Sequence, residues 1–415
     1  MSGHTTDPVG WAETRRRIVA ALAPRGQAAR SRAAVTKRPA PGDVLHAAVT
    51  APMDVPHYAS SAMDGFAVRG DGPWRLLDAP AVGAQGRNVH ITGGTLADGE
   101  ALPALTGSLV PDGATAVVRA EDAHVTGDTL TATTPPAGRD IRPAGQEWST
   151  GDTLVDAGER LTARHVAMLG ACGVDTVEVT PRPRVACAFT GNEVITHGLP
   201  RPGEVRDAFG VSFPALLDAW GAEVVGTQRL PDDPVAVEDW LRRPEVLGAD
   251  IVVLTGGSGR SGQDFARRFI TRAADEVLAE EIACRPGHPT LVTTRSPVQI
   301  AGPHTQLVIG VPGNPFAAHV ALHSFVAPAV TALLGAGDPV GTRTGTMTVA
   351  IESMPRQRVR LLPATRDPRE SDSPRFTPAP GAHSHMLRGY AAADVLLVVP
   401  PQGVAAGDEV EYVEL

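Results

Sequence analysis

At 415 residues the chain exceeds what one ordinary hydrophobic core organises, and it divides into several domains. Its 42% apolar and 20% charged residues are ordinary for a soluble globular protein, and a net charge of −9 without a basic, aromatic-interleaved stripe excludes general nucleic-acid binding. An anionic small molecule stays within reach, because local charge and helix N-termini outweigh the average.

Taken in chain order, Asp7 to Leu22 reads as an amphipathic helix with Trp11, Ile18 and Leu22 on one face. Arg15, Arg16 and Arg17 precede only a short apolar run ending at Pro24, which is no signal peptide, and no stretch reads as the ~20 apolar residues of a membrane span. A cytoplasmic protein with no membrane partner is expected. A Pro/Gly-rich region from Pro39 to about Gly138 follows, with β-like runs at Ala116–Val118 and Thr129–Thr133 and a turn at Thr126-Gly127-Asp128. Leu161 to Leu169 looks helical and Val174 to Val179 alternates like a strand. These and the first helix are expected to share a small domain into which the β-rich region is inserted.

From Arg184 to about Gly335 strands alternate with helices. Apolar runs at Val185–Phe189, Ala222–Val225, Asp250–Leu254 and Leu307–Val311 read as strands. Phe213–Trp220, Val235–Leu241, Phe265–Ala273 and Phe316–Leu334 read as helices, giving an α/β layer with a mostly parallel sheet. From about Thr342 the tail is β-rich, with runs at Met347–Ile351, Val395–Val399 and Val410–Val413. Cys172, Cys187 and Cys284 are too few and too spread for a disulfide framework or a cysteine zinc site.

Three loops follow strands of the α/β region, where open sheets of this kind bind ligands. They are Thr190-Gly191-Asn192-Glu193, the glycine-rich run Thr255-Gly256-Gly257-Ser258-Gly259 continuing to Asp264, and Pro312-Gly313-Asn314-Pro315. Glycines let backbone approach a ligand, and N–H groups at a helix start attract phosphate. Singly, each loop is most simply a tight turn; three in one sheet point to a ligand site. The glycine-rich run is neither a Walker A sequence nor a dinucleotide fingerprint. Glu193, Asp264 and the pair Asp232-Asp233 are candidate Mg²⁺ carboxylates. Against that, Asp-Asp-Pro before a helix is an ordinary cap, and Asp264 equally suits the start of the next helix. His288, His383 and His385 lack metal-site spacing and read as solvated or locally bonded.

The run Ser61-Ala62-Met63-Asp64-Gly65-Phe66-Ala67-Val68-Arg69 closely resembles the N-terminal signature of the MoeA family, the molybdopterin molybdenumtransferases. Ala51-Pro52-Met53-Asp54-Val55-Pro56 precedes it as in that family. Further matches follow in order: Leu105-Thr106-Gly107 with Pro111-Asp112-Gly113, Thr190-Gly191-Asn192-Glu193, the loop ending in Asp264, Arg285-Pro286-Gly287-His288-Pro289, Pro312-Gly313-Asn314-Pro315 and Ala406-Gly407-Asp408-Glu409-Val410. The resemblance implies four domains in an elongated homodimer: a discontinuous domain I (1–50 and 140–181), an inserted β-rich domain II (51–139), a molybdopterin-binding α/β domain III (182–336) and a small β domain IV (337–415).

It also implies a reaction in which adenylylated molybdopterin and molybdate bind, the phosphoanhydride to AMP is cleaved, and the metal joins the dithiolene sulfurs, with Mg²⁺ assisting. On the resemblance, Asp64 and Thr106 are contributed to the site by domain II, across the dimer. Glu193 and Asp264 lie at the pterin and nucleotide end, Asp232 or Asp233 is a further acidic position, and Arg285 stands at a family lysine. Arg358 or Arg360, with Ser384, falls near oxyanion-binding positions. The implied catalytic set is Asp64, Thr106, Glu193, Asp264 and Arg285. Metal ligands are implied at Glu193, Asp232 and Asp264. Ligand contacts are implied at Thr190, Gly191, Gly256, Gly257, Ser258, Gly259, Pro312, Gly313, Asn314 and Ser384.

The chain departs from the family at Gln146, Glu147, Asn192, Glu281 and His288. Because Lys37 is its only lysine, Arg285 is read as a charge-preserving exchange, whereas Asn192 and Glu281 alter charge. Two alternatives stand beside the enzyme. One is a molybdopterin-binding or scaffolding relative without metal insertion, as gephyrin illustrates by analogy. The other is a molybdopterin adenylyltransferase, against which the domain II signature argues.

Overall fold

The computed structural model describes residues 7–30, 34–78, 94–256, 265–297, 300, 305–354, 357–368 and 373–415, leaving aside the side chains of 24–30 and 265. The first helix, α1, spans Trp11–Arg30. It runs on through Pro24, which removes one backbone donor without forbidding the helix. Trp11, Ile18 and Leu22 are buried, but in the core of the α/β layer rather than with the segment from Leu161 to Val179. That segment forms a core of its own with Leu45, Ala51 and Leu154. A strand at Val177–Val179 pairs there with Val35–Lys37, and a helix at Ala163–Ala171 is capped reciprocally by Thr162 and His165.

The Pro/Gly-rich region folds into a six-stranded sheet ordered Ala116–Arg119, Gly65–Val68, Glu100–Ala104, Trp74–Leu76, Thr129–Thr131, His124–Thr126. Its last hairpin closes through Gly127, whose φ of 64° suits glycine. Trp74 and Leu130 are fully buried in its core.

The α/β layer supplies the frame for the site. Its strands are β1 Arg184–Phe189, β2 Glu223–Arg229, β3 Ile251–Thr255, β4 Glu276–Ala279, β5 Leu291–Arg295 and β6 Gln306–Val311. Helices α2 Phe209–Ala219, α3 Pro234–Leu241, α4 Phe265–Ala273 and α5 Pro315–Leu334 lie on its faces. The sheet order is β2-β1-β3-β6-β5-β4. Strands β2, β1, β3 and β6 run parallel, and β5 alone is antiparallel to both neighbours. The central strands β1, β3 and β6 are buried almost throughout, which is why they read as continuous apolar runs. Strands β4 and β5 carry charged and threonine residues that hide their apolar pattern.

Helix α5 corrects the expectation that no apolar stretch is long enough to span a bilayer: it is 20 residues long and an 18-residue stretch of it has a mean hydropathy of 1.6. It is a core helix, 83% buried, wedged between α1 and the sheet. Its middle, Leu322–Val326, winds as a π-helix, and Gly335 ends it at φ 65°. The C-terminal strands Val359–Arg366, Arg375–Pro378, Arg343–Met347, Glu409–Glu414 and Val395–Val399 close on themselves, because the first also pairs with the last. Two-residue Cys284–Arg285 joins this sheet from the α/β unit, alongside Val359–Arg360. The architecture is thus a mixed α/β layer with two β-rich units.

Candidate functional site

A cavity of about 700 Å³ opens at the C-terminal edge of the parallel strands. Its walls include Thr190, Gly191 and Glu193 after β1, Asp232 after β2, Gly256 after β3, and Gly313, Asn314 and Pro315 between β6 and α5. Strand order reverses direction about β1, the kind of switch point at which open α/β sheets bind ligands.

The loops are tied to one another. The Thr190 N–H donates to Thr255 Oγ1 at 3.1 Å, and Thr190 Oγ1 donates back to the Thr255 carbonyl at 3.0 Å. Gly256 has φ 81°, and a Cβ there would lie 2.0 Å from Thr190 Oγ1, so glycine is required on both counts. Asn192 and Asp232 bond reciprocally: the Asn192 N–H donates to Asp232 Oδ2 at 2.9 Å, and the Asp232 N–H donates to Asn192 Oδ1 at 3.2 Å. An amide at 192 makes this pairing without setting two carboxylates against each other. Of the adjacent Asp232 and Asp233, Asp232 walls the cavity. Asp233 caps α3 through the Val235 and Ala236 N–H groups.

Asn314 occupies the N-cap of α5 with Pro315 at the first turn, yet its side chain makes no capping bond. The cap comes from the C-terminal unit, where the Ser384 carbonyl accepts the Ala317 N–H at 3.1 Å. This bond brings the adjoining His385 to the cavity wall. Pro312 is buried beneath the same turn. Gly257, Ser258, Gly259 and Asp264 lie outside the described residues. Among the described residues no three His, Cys, Asp or Glu side chains cluster as a metal site.

Two expected residues sit together but away from this cavity. Asp64 Oδ1 accepts the Thr106 N–H at 2.7 Å and the Thr106 hydroxyl at 2.9 Å, within the inserted β-rich unit. Those two bonds hold the Asp64 carboxyl below its ordinary range, the backbone one foremost. Neither residue walls the cavity of its own chain. Arg285 is exposed on the short strand beside Val359–Arg360, at the seam with the C-terminal unit, and is also outside the cavity wall. Near it His288 Nδ1 donates to the Ile282 carbonyl at 2.7 Å, and Nε2 faces Arg358 Nη2 at 2.9 Å. Because a guanidinium only donates, that nitrogen is the acceptor of this contact. Glu281 Oε2 lies 3.5 Å from the same nitrogen. Arg360 instead donates to the Glu352 carbonyl at 2.8 Å.

Sequence reading missed Asp207, Phe209, Arg229, Arg206 and His385, all on the cavity wall. Asp207 Oδ1 accepts the Phe209 and Gly210 N–H groups at 2.9 and 3.1 Å and starts α2, four residues before the apolar periodicity becomes evident. An aspartate two residues ahead of a helix was the available signal. Burial pushes its carboxyl up, but bonds from Gly210, Arg229 and Phe209 outweigh this and hold it below the usual range. Phe209 packs with Phe189 and Phe213 at centroid distances of 6.0 and 5.0 Å, giving the polar cavity one aromatic side.

Comparison with known proteins agrees with this arrangement. Residues 9–173 match the MoeA N-terminal region (domain I and II), 186–332 a "probable molybdopterin binding domain", and 345–415 the MoeA C-terminal region (domain IV). A molybdopterin molybdenumtransferase of Nostoc sp. is 30% identical over 71% of this chain and 67% of its own length. Molybdopterin molybdenumtransferase 2 of Mycobacterium tuberculosis is 29% identical over 91% of this chain and 93% of its own. The crystal structure of a molybdopterin biosynthesis moeA protein from Pyrococcus horikoshii shares the fold at a TM-score of 0.72 and 20% identity, covering 99% of this chain and all of that one. The chain belongs to the MoeA family, the molybdopterin molybdenumtransferases.

Proposed function

We propose that this chain inserts molybdenum from molybdate into adenylylated molybdopterin, releasing AMP, as a cytoplasmic step of molybdenum cofactor biosynthesis. The observation that carries the reading is the cavity at the sheet's C-terminal edge, walled by three strand-following loops of a family member. Bound there, the ligand meets backbone at Gly191, Gly256 and Gly313, the Thr190 hydroxyl oxygen as an acceptor, and an aromatic wall at Phe209. Gly257, Ser258, Gly259 and Asp264 belong to the second loop in sequence and to the same reading, as does Ser384, next to His385 of the cavity wall.

Glu193 and Asp232 stand on two walls of one cavity and fit Mg²⁺, which takes one or two carboxylates and fills its shell with phosphate oxygens and water. When bound it neutralises charge on the phosphoanhydride. The residues of the chain bind, orient and screen that linkage. Asp64 and Thr106 enter the reading through a homodimer in which the inserted unit of the partner completes the site. Their mutual bonds fix an ionised carboxylate on an exposed loop, prepared to meet a second surface. Arg285 holds an anionic oxygen of phosphate or molybdate from the seam with the C-terminal unit.

The test is reconstitution from purified protein, adenylylated molybdopterin, Mg²⁺ and molybdate. AMP release together with active cofactor is expected. Tight pterin binding without turnover would replace the enzyme by a binding module. Mixing an Asp64→Ala chain with a Glu193→Ala chain restores part of the activity if the site is shared, and restores none, despite proven heterodimers, if it is not.

A further inference from the structure

Arg229 ends β2 on the cavity wall, in register with Phe189 and hence beside the Thr190–Glu193 loop. Its Nη2 lies 2.9 Å from Asp207 Oδ1. Its Nε and Nη1 are shielded from solvent and meet no acceptor among the described residues. Those two nitrogens carry three of the five guanidinium N–H donors, and a buried donor without a partner is costly. The Asp207 oxygen that pairs with Arg229 already accepts two backbone N–H groups at the start of α2. The carboxylate is therefore shared, and the guanidinium is only partly compensated. Among the described residues, three acids, Glu193, Asp207 and Asp232, and two arginines, Arg206 and Arg229, stand around the cavity. Arg206 is exposed at the rim, whereas the Arg229 side chain is 23% exposed and set into the wall.

We propose that Arg229 is the interior anion-binding residue of this cavity, gripping a phosphate oxygen of the ligand's diphosphate linkage. The proposal rests on the cavity being the substrate site. It adds which side chain meets the phosphates and how that residue is kept in reserve. An arriving anion offers acceptors to donors that have none, so the guanidinium gains by turning into the cavity. Asp207 acts as the holder: it keeps the arginine beside the site and competes with the anion for it. Neither arginine nor holder takes part in bond breaking. Their work is binding and orientation.

Binding of AMP and of inorganic pyrophosphate to the full chain, measured by titration calorimetry at two salt concentrations, tests the assignment. Arg229→Gln should weaken both probes by about ten-fold or more and leave the remaining binding less sensitive to salt. Arg229→Lys should recover part of that loss, since the charge survives. Asp207→Asn keeps an oxygen for the Phe209 and Gly210 N–H groups while removing the competing charge, so it should tighten both probes. A merely structural Arg229–Asp207 tie predicts that Arg229→Gln and Asp207→Asn weaken binding alike, and that result overturns the proposal. Unchanged affinity in Arg229→Gln overturns it too, while leaving the substrate site intact. Failure of the parent chain to bind either probe overturns both readings at once.

Discussion

The two edges of the α/β sheet each carry a cavity, and the contrast between them separates a space from a site. At the N-terminal edge a cavity of about 800 Å³ is lined by Lys37, Asp43, Arg182, Arg184, Asp218 and Asp250, among others. It is the larger of the two and no less charged. Six of its charges, however, are spent on one another and on backbone. Lys37 lies 3.0 Å from Asp43, and Arg182 2.7 Å from Asp218. Asp250 accepts the Arg184 N–H at 2.7 Å, and the Arg184 guanidinium donates to the Gly248 carbonyl at 3.2 Å. At the C-terminal edge Arg229 keeps donors that meet no acceptor among the described residues, and Asn314 forgoes its cap. Polar groups left unserved by the fold, on the edge where βα loops gather, mark the site better than volume does.

The contrast breaks most visibly at Gly256. Gly256→Val places a β-branched side chain at φ 81° and against Thr190, and should cost about 3 kcal/mol with near-complete loss of turnover. Its counterpart at the other edge, Gly248→Ala, starts from φ −84° and should shift stability by no more than about 1 kcal/mol, with activity retained. Chemical denaturation and AMP-release assays on the two variants check this, and equal damage at both edges would erase the distinction.

Helix α5 runs from the cavity mouth toward the opposite edge, and His323 at its π-helical middle bonds Tyr390 Oη through Nε2 at 2.9 Å. Burial, with His319 nearby, pushes His323 down to about 3, below the ~6.5 of an unfolded histidine. The folded value is the lower one, so its contribution is complete above pH ~6.5 and is lost as pH falls from there toward 3. Each proton so taken up steepens the loss by about 1.4 kcal/mol per pH unit. His323→Gln should flatten the dependence of stability between pH 6.5 and 5, read from denaturant midpoints; an unchanged slope would place the sensitivity elsewhere.

Asp232 and Asp233 test the contrast within one dipeptide. Asp233→Ala should lose about 1 kcal/mol of stability as a helix cap and keep specific activity. Asp232→Ala should melt near the parent and lose about ten-fold or more in turnover. The smallest effect belongs to the paired edge: Arg182→Ala removes an ion pair whose members are 35% and 73% exposed, and should change stability by less than about 0.5 kcal/mol and activity not at all.

Most of the α/β frame was legible because β1, β3 and β6 are buried on both faces and therefore spell continuous apolar runs. The walls at Thr190, Glu193, Asp232, Gly256 and Asn314 were legible for a related reason, since glycine, proline and capping residues directly after a strand have few other uses. Strands β4 and β5 were not, because Glu276, Thr293, Thr294 and Arg295 break the apolar pattern, while Thr293 donates to the Val308 carbonyl and Arg295 to Gln306 Oε1 in place. Arg229 was equally silent: at the end of an edge strand an arginine looks like any solvated charge. Its meaning comes from Asp207, 22 positions away in sequence and 2.9 Å away in space. His385 arrives at the cavity through the Ser384 carbonyl, a contact no spacing rule encodes.

The cap that Ser384 lends to α5 has a consequence for modularity. One apolar cluster contains Leu361, Leu396 and Val398 of the C-terminal unit, Trp11, Ile18 and Leu22 of α1, and the centre of the α/β layer. The layer is thus not a transplantable module. Cut out at residues 182–336, it would present an oily seam on two sides and an uncapped helix at the mouth of its own cavity. A free-standing protein of the same fold must carry a different exterior on α5, so exchange of this unit between proteins requires resurfacing before it requires any change in chemistry.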